Sequence, residues 1–372
     1  MTSDVDEADL DSFDKHVENL PTVNIKPIIK GTIRQHYSDF EVNETLSFEP
    51  RGEGEHLFLY IEKRCCNSQW VADELQRYFK LRSQDVGYAG KKDRHSISRQ
   101  WFSLHLPGKV NEVSQAEFDD LDNDSFRVLQ SIRHNKKLRK GVIKNNHFVI
   151  KVSQLSGEIN QALLDKISTD GFPNYFGYQR FGHNGNNLVK AKQLFNNEIR
   201  VRSRNKKGLY LSAARSYLFN LMLAERINKQ SWGRVLAGDC LSLSGSQSYF
   251  VCEQAEGDIK QRFNDGDIHI SGWLAGSQKS EAIGDALAHE LEALENHTLW
   301  LKGLDKARLS SARRPMRVIP NGLKMTKLES DHVIIEFSLP SGSFATSLLQ
   351  ELFLVNDSAI KPVSTIEEEL GP

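Results

Sequence analysis

A mixed α+β architecture in two domains is the fold class this sequence predicts, and three observations carry it. At 372 residues the chain exceeds what one small hydrophobic core ordinarily organises. Strand-like apolar runs and helical apolar stripes occur through the first half and return together near the C-terminus. Between them, beyond about residue 200, the texture changes to a basic linker, a long amphipathic stretch and Gly-, Ser- and Asp-rich turns.

Residues 1–20 carry seven acids against Lys15, a net of −6, and read as a disordered acidic arm. The run Leu57-Phe58-Leu59-Tyr60-Ile61 predicts a strand buried on both faces. Ser68 is placed to cap a helix whose apolar face is Val71, Leu75, Tyr78 and Phe79, at helical spacing. Strands are expected at 100–106, 126–132 and 147–152. A helix striped by Ile159, Leu163, Leu164 and Ile167 should stop at Gly171, a residue suited to the position just past a helix end. Asn174–Gly182 then reads as a loop exposing polar and aromatic groups. Arg202-Ser203-Arg204-Asn205-Lys206-Lys207 is a basic linker before a helix at 209–227. Turns fill 238–278, and one long helix is expected at about 281–301. Val333, Ile335 and Phe337 alternate as in a strand, and a last helix should run over 343–354.

Composition narrows the function. No apolar run approaches the ~20 residues that cross a bilayer, and Met1–Asp6 lacks the basic and apolar regions of a signal peptide. Cys65, Cys66, Cys240 and Cys252 show neither C-x-x-C nor Cys/His ligand spacing, so a reducing cytoplasm and no metal are expected. The formal net charge of −1 hides a segregation. Without residues 1–20 the remainder stands at +5, and without Glu367-Glu368-Glu369 as well it stands at +8. Acidic ends on a mildly basic body fit a nucleic-acid binder. The densest basic segment, 133–144, holds Arg133, Lys136, Lys137, Arg139, Lys140 and Lys144, and suits a hairpin or loop that contacts phosphates without reading sequence. Phosphate-loop, H-E-x-x-H and dinucleotide-binding spacings are all absent, so no cofactor is expected.

Three motifs bear on chemistry. Gly87-Tyr88-Ala89-Gly90-Lys91-Lys92-Asp93-Arg94-His95-Ser96-Ile97-Ser98-Arg99-Gln100-Trp101 places one carboxylate among cations, after two glycines and before a strand. An aspartate, with an ordinary pKa of roughly 4, is ionised at neutral pH and needs no base to act as a nucleophile. Pro173-Asn174-Tyr175-Phe176-Gly177-Tyr178-Gln179-Arg180-Phe181-Gly182 and Leu339-Pro340-Ser341-Gly342-Ser343-Phe344-Ala345-Thr346-Ser347 follow. In this order the blocks resemble the TruD family of tRNA pseudouridine synthases, whose nucleophile pattern is approximately G-x-A-G-x-K-D-[RK]-x-A-[VI]-T-x-Q-W. Ser96 and Ser98 stand where that pattern has Ala and Thr. The resemblance spans residues from about 30 to 354.

The resemblance implies a pseudouridine-synthase catalytic domain with a mixed, largely antiparallel sheet flanked by helices. It would be formed by 25–199 and 319–372, follow an arm at 1–24, and be interrupted by an inserted α+β domain at 200–318. It also implies isomerisation of uridine 13 of tRNA, by a monomer, with Asp93 as nucleophile on a flipped-out base. By the same resemblance Phe40, Asn174 and Phe344 match substrate-binding positions. Phe176 matches a family Phe where related synthases set a Tyr against the base. Arg34 stands where the family usually carries a Lys partner of the nucleophile. Two other classes stay open: a non-catalytic RNA-binding protein on the same scaffold, and an Asp-dependent hydrolase of glycosidic bonds.

Overall fold

The computed structural model describes residues 20–108, 118, 121–329 and 331–359; residues 1–19 of the expected arm and the run Glu367-Glu368-Glu369 lie outside the described residues. Two compact units divide the chain. The sheet unit comprises Ile28–Ser168, Pro320–Gly342 and Leu352–Pro372, and the helical unit Met1–Pro27, Thr169–Ile319 and Ser343–Glu351.

In chain order the first half forms β1 (Lys30–Ile33), β2 (Phe40–Leu46), β3 (His56–Arg64), α1 (Ser68–Tyr78), β4 (Val86–Tyr88), β5 (Ile97–His105), β6 (Phe126–His134), β7 (Ile143–Ser153) and α2 (Gln161–Asp170). The middle forms β8 (Phe172–Pro173), α3 (Asn186–Phe195), α4 (Arg204–Asn228), β9 (Cys240–Leu243), β10 (Tyr249–Val251), α5 (Asp258–Asn264), β11 (Ile268–Leu274), α6 (Gly284–Ala293), α7 (Thr298–Lys306), β12 (Ala312–Pro315) and β13 (Arg317–Val318). The chain closes with β14 (Asn321–Glu329), β15 (His332–Pro340), α8 (Ala345–Leu352) and β16 (Leu354–Asp357).

The sheet unit is built on one ten-stranded sheet, ordered β14-β15-β7-β2-β5-β3-β6, with β4 added to β5 and β1 lying between β7 and β16. Among the described residues only β1–β16 and β2–β5 run parallel, so the sheet is mixed and largely antiparallel. β3 is an interior strand, paired with β5 and β6, and, as its apolar run predicts, buried on both faces. Leu57, Leu59 and Ile61 pack with Val71 and Leu75 of α1, while Phe58 packs on the other side with Trp101 and Leu138. The same period-2 alternation carries Lys63 onto the α1 face, where it is fully buried.

The helical unit wraps around α4, whose Leu211, Ala214, Leu218, Met222 and Leu223 share a core with Leu188 of α3, Ile268 and Ile270 of β11, and Trp300 and Leu304 of α7. Tyr175, Phe176, Phe181 and Leu188 belong to that core, so residues 169–199 pack with the segment that follows residue 200.

Several local expectations need correction. Ser68 is the first helical residue of α1, not its cap; Asn67 holds the cap position, and the Ser68 hydroxyl is used elsewhere. The basic linker is helical from Arg204, with Ser203 as cap accepting the Lys206 N–H. The single helix at 281–301 is two, parted at Asn296-His297, residues of weak helix propensity. Four short elements, β9, β10, α5 and β11, occupy 238–278, where Ser and Gly gave only turn signals. Leu354 leaves α8 to start β16. Asn174, Tyr175 and Phe176 are buried, where an exposed loop was expected. Residues 20–24 are ordered: the Tyr175 hydroxyl donates to the Pro21 carbonyl, and Glu351 accepts from the Val23 and Asn24 amides. Gly171 does end α2, with φ at +80°.

Candidate active site

Asp93 sits in a loop without regular structure between Gly90 and Ile97, so side chains must hold it. Two donors meet on its backbone carbonyl: Lys63 Nζ at 2.7 Å and Ser96 Oγ at 2.9 Å. Ser68 accepts the Lys92 amide at 3.0 Å and donates to Gln100 Oε1 at 2.6 Å, and Gln100 Nε2 donates to the Gly90 carbonyl at 3.1 Å. Lys92 turns inward, its ammonium 2.8 Å from Glu44 Oε2 and donating to Asn146 Oδ1 at 2.6 Å. Its charge is therefore committed to a buried pair, and Lys91 and Arg94 are the exposed cations beside Asp93. Five buried or half-buried side chains, Glu44, Lys63, Ser68, Gln100 and Asn146, anchor the loop from β2, β3, α1, β5 and β7.

The Asp93 carboxylate is 37% exposed, and Arg34 Nη2 donates to its Oδ2 at 2.9 Å. Arg34 lies just past β1 with φ at +56°, a conformation rarely adopted by a residue with a side chain. Its guanidinium lies 3.9 Å over the Phe40 ring, and its side chain is 1% exposed. Nη1 grips Asp357 Oδ2, so one planar fork spans two carboxylates. Asp357 went unnoticed in the sequence. It arrives through the parallel pairing of β1 with β16, in which Ile33 lies opposite Asp357. Among the described residues no donor reaches Asp93 Oδ1. One oxygen is held and the other presented, as suits a nucleophile whose orientation matters. Phe40 is 1% exposed beneath Arg34, which places it as the floor of the guanidinium and not as an open stacking surface.

In the helical unit Asn174, Phe176 and Phe344 come together. The Asn174 amide donates to the Pro315 carbonyl at 2.8 Å, and its Oδ1 accepts from Arg314 at 2.6 Å. Asn220 clamps the Phe176 backbone from both sides, accepting its N–H at 2.9 Å and donating to its carbonyl at 3.0 Å. The Phe176 ring meets Phe344 and Phe219 edge-on at 6.0 and 5.5 Å, and the Arg314 guanidinium lies 4.0 Å over it. Burial, with Arg180 nearby, pulls the Arg314 pKa down to about 9. Phe176 is 5% exposed, whereas Phe344 is half-buried. Gly177 permits this packing, since a Cβ there would stand 3.0 Å from the Phe344 ring.

The basic segment 133–144 is neither a hairpin nor wholly exposed. β6 and β7 are separated by β3, β5 and β2 in the sheet, so the connection crosses about 19 Å of strand spacings with few residues to spare. Leu138 is buried and its amide donates to Ser103 Oγ at 3.1 Å, pinning the crossing. Lys136, Arg139, Lys140 and Lys144 are exposed, while Lys137 donates to the Gln84 carbonyl at 2.5 Å. Arg133 is only 9% exposed and donates to the Leu106 carbonyl, so it belongs to the fold and not to the exposed cations. Ser103, which holds the Leu138 amide, lies about 20 Å along β5 from Ile97.

Glu329, Asp331 and His332, at the β14–β15 turn, form the one group of donors close enough for a cation among the described residues; it is far from Asp93 in the strand order. No helix among the described residues is long and apolar enough to cross a membrane.

A family model described as tRNA pseudouridine synthase D (TruD) matches residues 22–200 and 185–352. A protein named tRNA pseudouridine synthase D from Aeromonas salmonicida (strain A449) is 39% identical over 343 residues, covering 92% of this chain and 96% of that protein. One of the same name from Hydrogenovibrio crunogenus is 36% identical over 332 residues, covering 89% and 94%. Among solved structures, a putative tRNA pseudouridine synthase D (TruD) from Methanosarcina mazei superposes with a TM-score of 0.68 at 20% identity, covering 92% of this chain and 98% of that one. At that identity the likeness concerns the fold alone.

Proposed function

The chain belongs to the TruD family of tRNA pseudouridine synthases, and from that premise we propose that it isomerises uridine 13 of tRNA, with Asp93 as the nucleophile. The observation that carries the reading is the Asp93 carboxylate, one oxygen gripped by a buried arginine fork and the other presented from an anchored loop. The reaction breaks the glycosidic bond, turns the freed uracil and forms a bond from carbon 5 to the ribose; carbon 5 gives up its proton and nitrogen 1, released from the sugar, takes one up. It uses no redox step and no energy source, so a positioned carboxylate and a grip on the detached base are what the protein must supply. The uridine leaves its stack first, at a cost of a few kcal/mol, and an aromatic surface replaces the lost stacking. The family pattern assigns that role to Phe344, which is half-buried and edge-on to Phe176. Asn174 has its amide oriented by Arg314 and Pro315, which supports a role for it at a base edge. The exposed Lys136, Arg139, Lys140 and Lys144 suit phosphates of the bound RNA. The catalytic domain is assigned to 25–199 and 319–372 and the insertion to 200–318, as the family pattern implies.

The test is pseudouridine formation in unmodified tRNA, mapped by site, with wild type and Asp93→Asn side by side. Product at one D-arm uridine, lost in Asp93→Asn while tRNA binding survives, is the expected result. Turnover persisting in Asp93→Asn would overturn the nucleophile, and product elsewhere would overturn the position.

A further inference from the structure

The proposed chemistry leaves Lys63 unused, although it is the costliest side chain near Asp93. It stands on β3 opposite Ser98 of β5 and Phe126 of β6 and is 0% exposed. Its ammonium donates to two backbone carbonyls, Cys66 at 2.8 Å and Asp93 at 2.7 Å. Among the described residues no carboxylate oxygen comes within ion-pair distance of it. The groups that face it are Cys66, Asp93, Lys92 and Cys65, and burial outweighs them, pulling the lysine pKa down to about 8. A buried ammonium without a carboxylate costs stability that an apolar side chain of similar length would not. What it contributes in return is its hold on two carbonyls.

We infer that Lys63 is a positioning residue for the proposed reaction, fixing the backbone of Asp93 to the turn after β3 so that the carboxylate stays in register with the Arg34 fork. The inference rests on Asp93 being the nucleophile. The geometry is specific. The Asp93 carbonyl takes donors from Lys63 and from the buried Ser96, so the peptide plane that follows Asp93 cannot turn freely. The other end of the Lys63 bridge, the Cys66 carbonyl, lies immediately before α1, whose Ser68 holds the Lys92 amide. Lys63 and Ser68 thus tie the same loop to the same helix start at adjacent residues. A charged donor binds a carbonyl more strongly than a neutral amine, so the hold weakens as Lys63 loses its proton.

The experiment compares wild type, Lys63→Met and Lys63→Met/Ser96→Ala in three readouts: single-turnover rate at saturating tRNA between about pH 6 and 10, tRNA dissociation constant, and amide hydrogen exchange over 90–97. Lys63→Met should keep its melting temperature and bind tRNA normally. Its rate should fall by about 10- to 100-fold, the range expected for a misplaced reacting group, and exchange over 90–97 should quicken. Wild type should lose rate above about pH 8, and Lys63→Met should lack that limb. A limb due to the substrate would persist in both. The double variant should be slower than the single one, because both donors to the Asp93 carbonyl are gone. Unchanged rate with unchanged exchange in a folded Lys63→Met would overturn the inference. Should that variant fail to fold, a wild-type profile flat across pH 8 would overturn it instead. Wild type that makes no pseudouridine, yet shows Lys63-dependent protection of 90–97, would sink the functional reading and leave the positioning role standing.

Discussion

Removing the Arg34 fork should separate stability from activity, because its two carboxylates differ in burial. Arg34 is 1% exposed, Asp357 9% and Asp93 37%. In Arg34→Met the Asp357 carboxylate is left buried without its cation, which costs about 3–5 kcal/mol. Asp93 faces water, and an exposed pair contributes only about 0–1 kcal/mol, so nearly all of the lost stability traces to Asp357. At roughly 2–4 °C per kcal/mol for a domain of this size, the melting temperature should fall on the order of 10 °C. Arg34→Met/Asp357→Asn removes the stranded charge and should recover most of that loss. Turnover should not recover, since Asp93 still lacks the donor on Oδ2. One charge-assisted hydrogen bond is worth about 1.5–3 kcal/mol, and partial exposure favours the low end, near a tenfold loss of rate. Thermal unfolding and single-turnover kinetics on wild type, both single variants and the double variant complete the cycle. A double variant as unstable as Arg34→Met would show that the loss came from the Phe40 stack or the backbone. A double variant with wild-type turnover would show that Arg34 does nothing for Asp93.

Phe344→Ala should slow the reaction by about 1–3 kcal/mol, or 5- to 150-fold, if Phe344 stacks on a base, with little loss of melting temperature. Phe176→Ala, at a residue 5% exposed among Phe219, Phe344 and Arg314, should instead cost about 3–5 kcal/mol of stability, read by denaturant unfolding. Neutralising Lys136, Arg139, Lys140 and Lys144 should flatten the salt dependence of tRNA affinity by about 0.7–0.9 per lost phosphate contact, whereas Arg133→Gln should change the slope little and the stability more. His269 is held neutral by burial beside Arg317, its pKa lowered to about 4 from 6.5. The unfolded chain takes up that proton first on acidification, so stability should rise with pH from about 4 to 6.5 and fall in the reverse direction. Melting curves across that window should lose part of this slope in His269→Gln, and an equal slope in both proteins would remove His269 as its source.

What could be read from the sequence was what depends on local order. β3 and α1 were legible because alternation and a helical stripe are properties of neighbouring residues. The Asp93 motif was legible as a family block, and with it the Arg34 partner, now seen as a 2.9 Å contact. Asp357 was not, because β16 joins β1 in parallel across more than 300 residues of chain, a pairing no local pattern encodes. Ser68 was read as a cap because caps favour its residue type, while its hydroxyl serves a loop met only in the folded state. The six cations of 133–144 are alike in sequence, and only pairing in the sheet, which sets Arg133 of β6 opposite Leu57 of β3, separates it from the rest. Lys63 did leave a signal. Leu57, Leu59 and Ile61 mark a buried face at period 2, and the next position on that face is a lysine.

That misplaced lysine is one of several costs gathered around Asp93. Arg34 adopts a left-handed backbone without being glycine, Lys63 is buried without a carboxylate at its ammonium, and Glu44 and Lys92 form an ion pair with side chains 0% and 7% exposed. A left-handed backbone is cheaper at glycine, and each buried charge costs desolvation that an apolar side chain would not. Three such costs spread at random over a sheet would argue for nothing. Here Lys63 bonds the Asp93 carbonyl, Lys92 is its neighbour in the chain, and Arg34 holds its carboxylate. Strain and buried charge persist where the surrounding structure over-determines them, and they concentrate where geometry must be kept against the pull of stability. Among the described residues no donor engages Asp93 Oδ1, which is the physical reason to propose it for the chemical task.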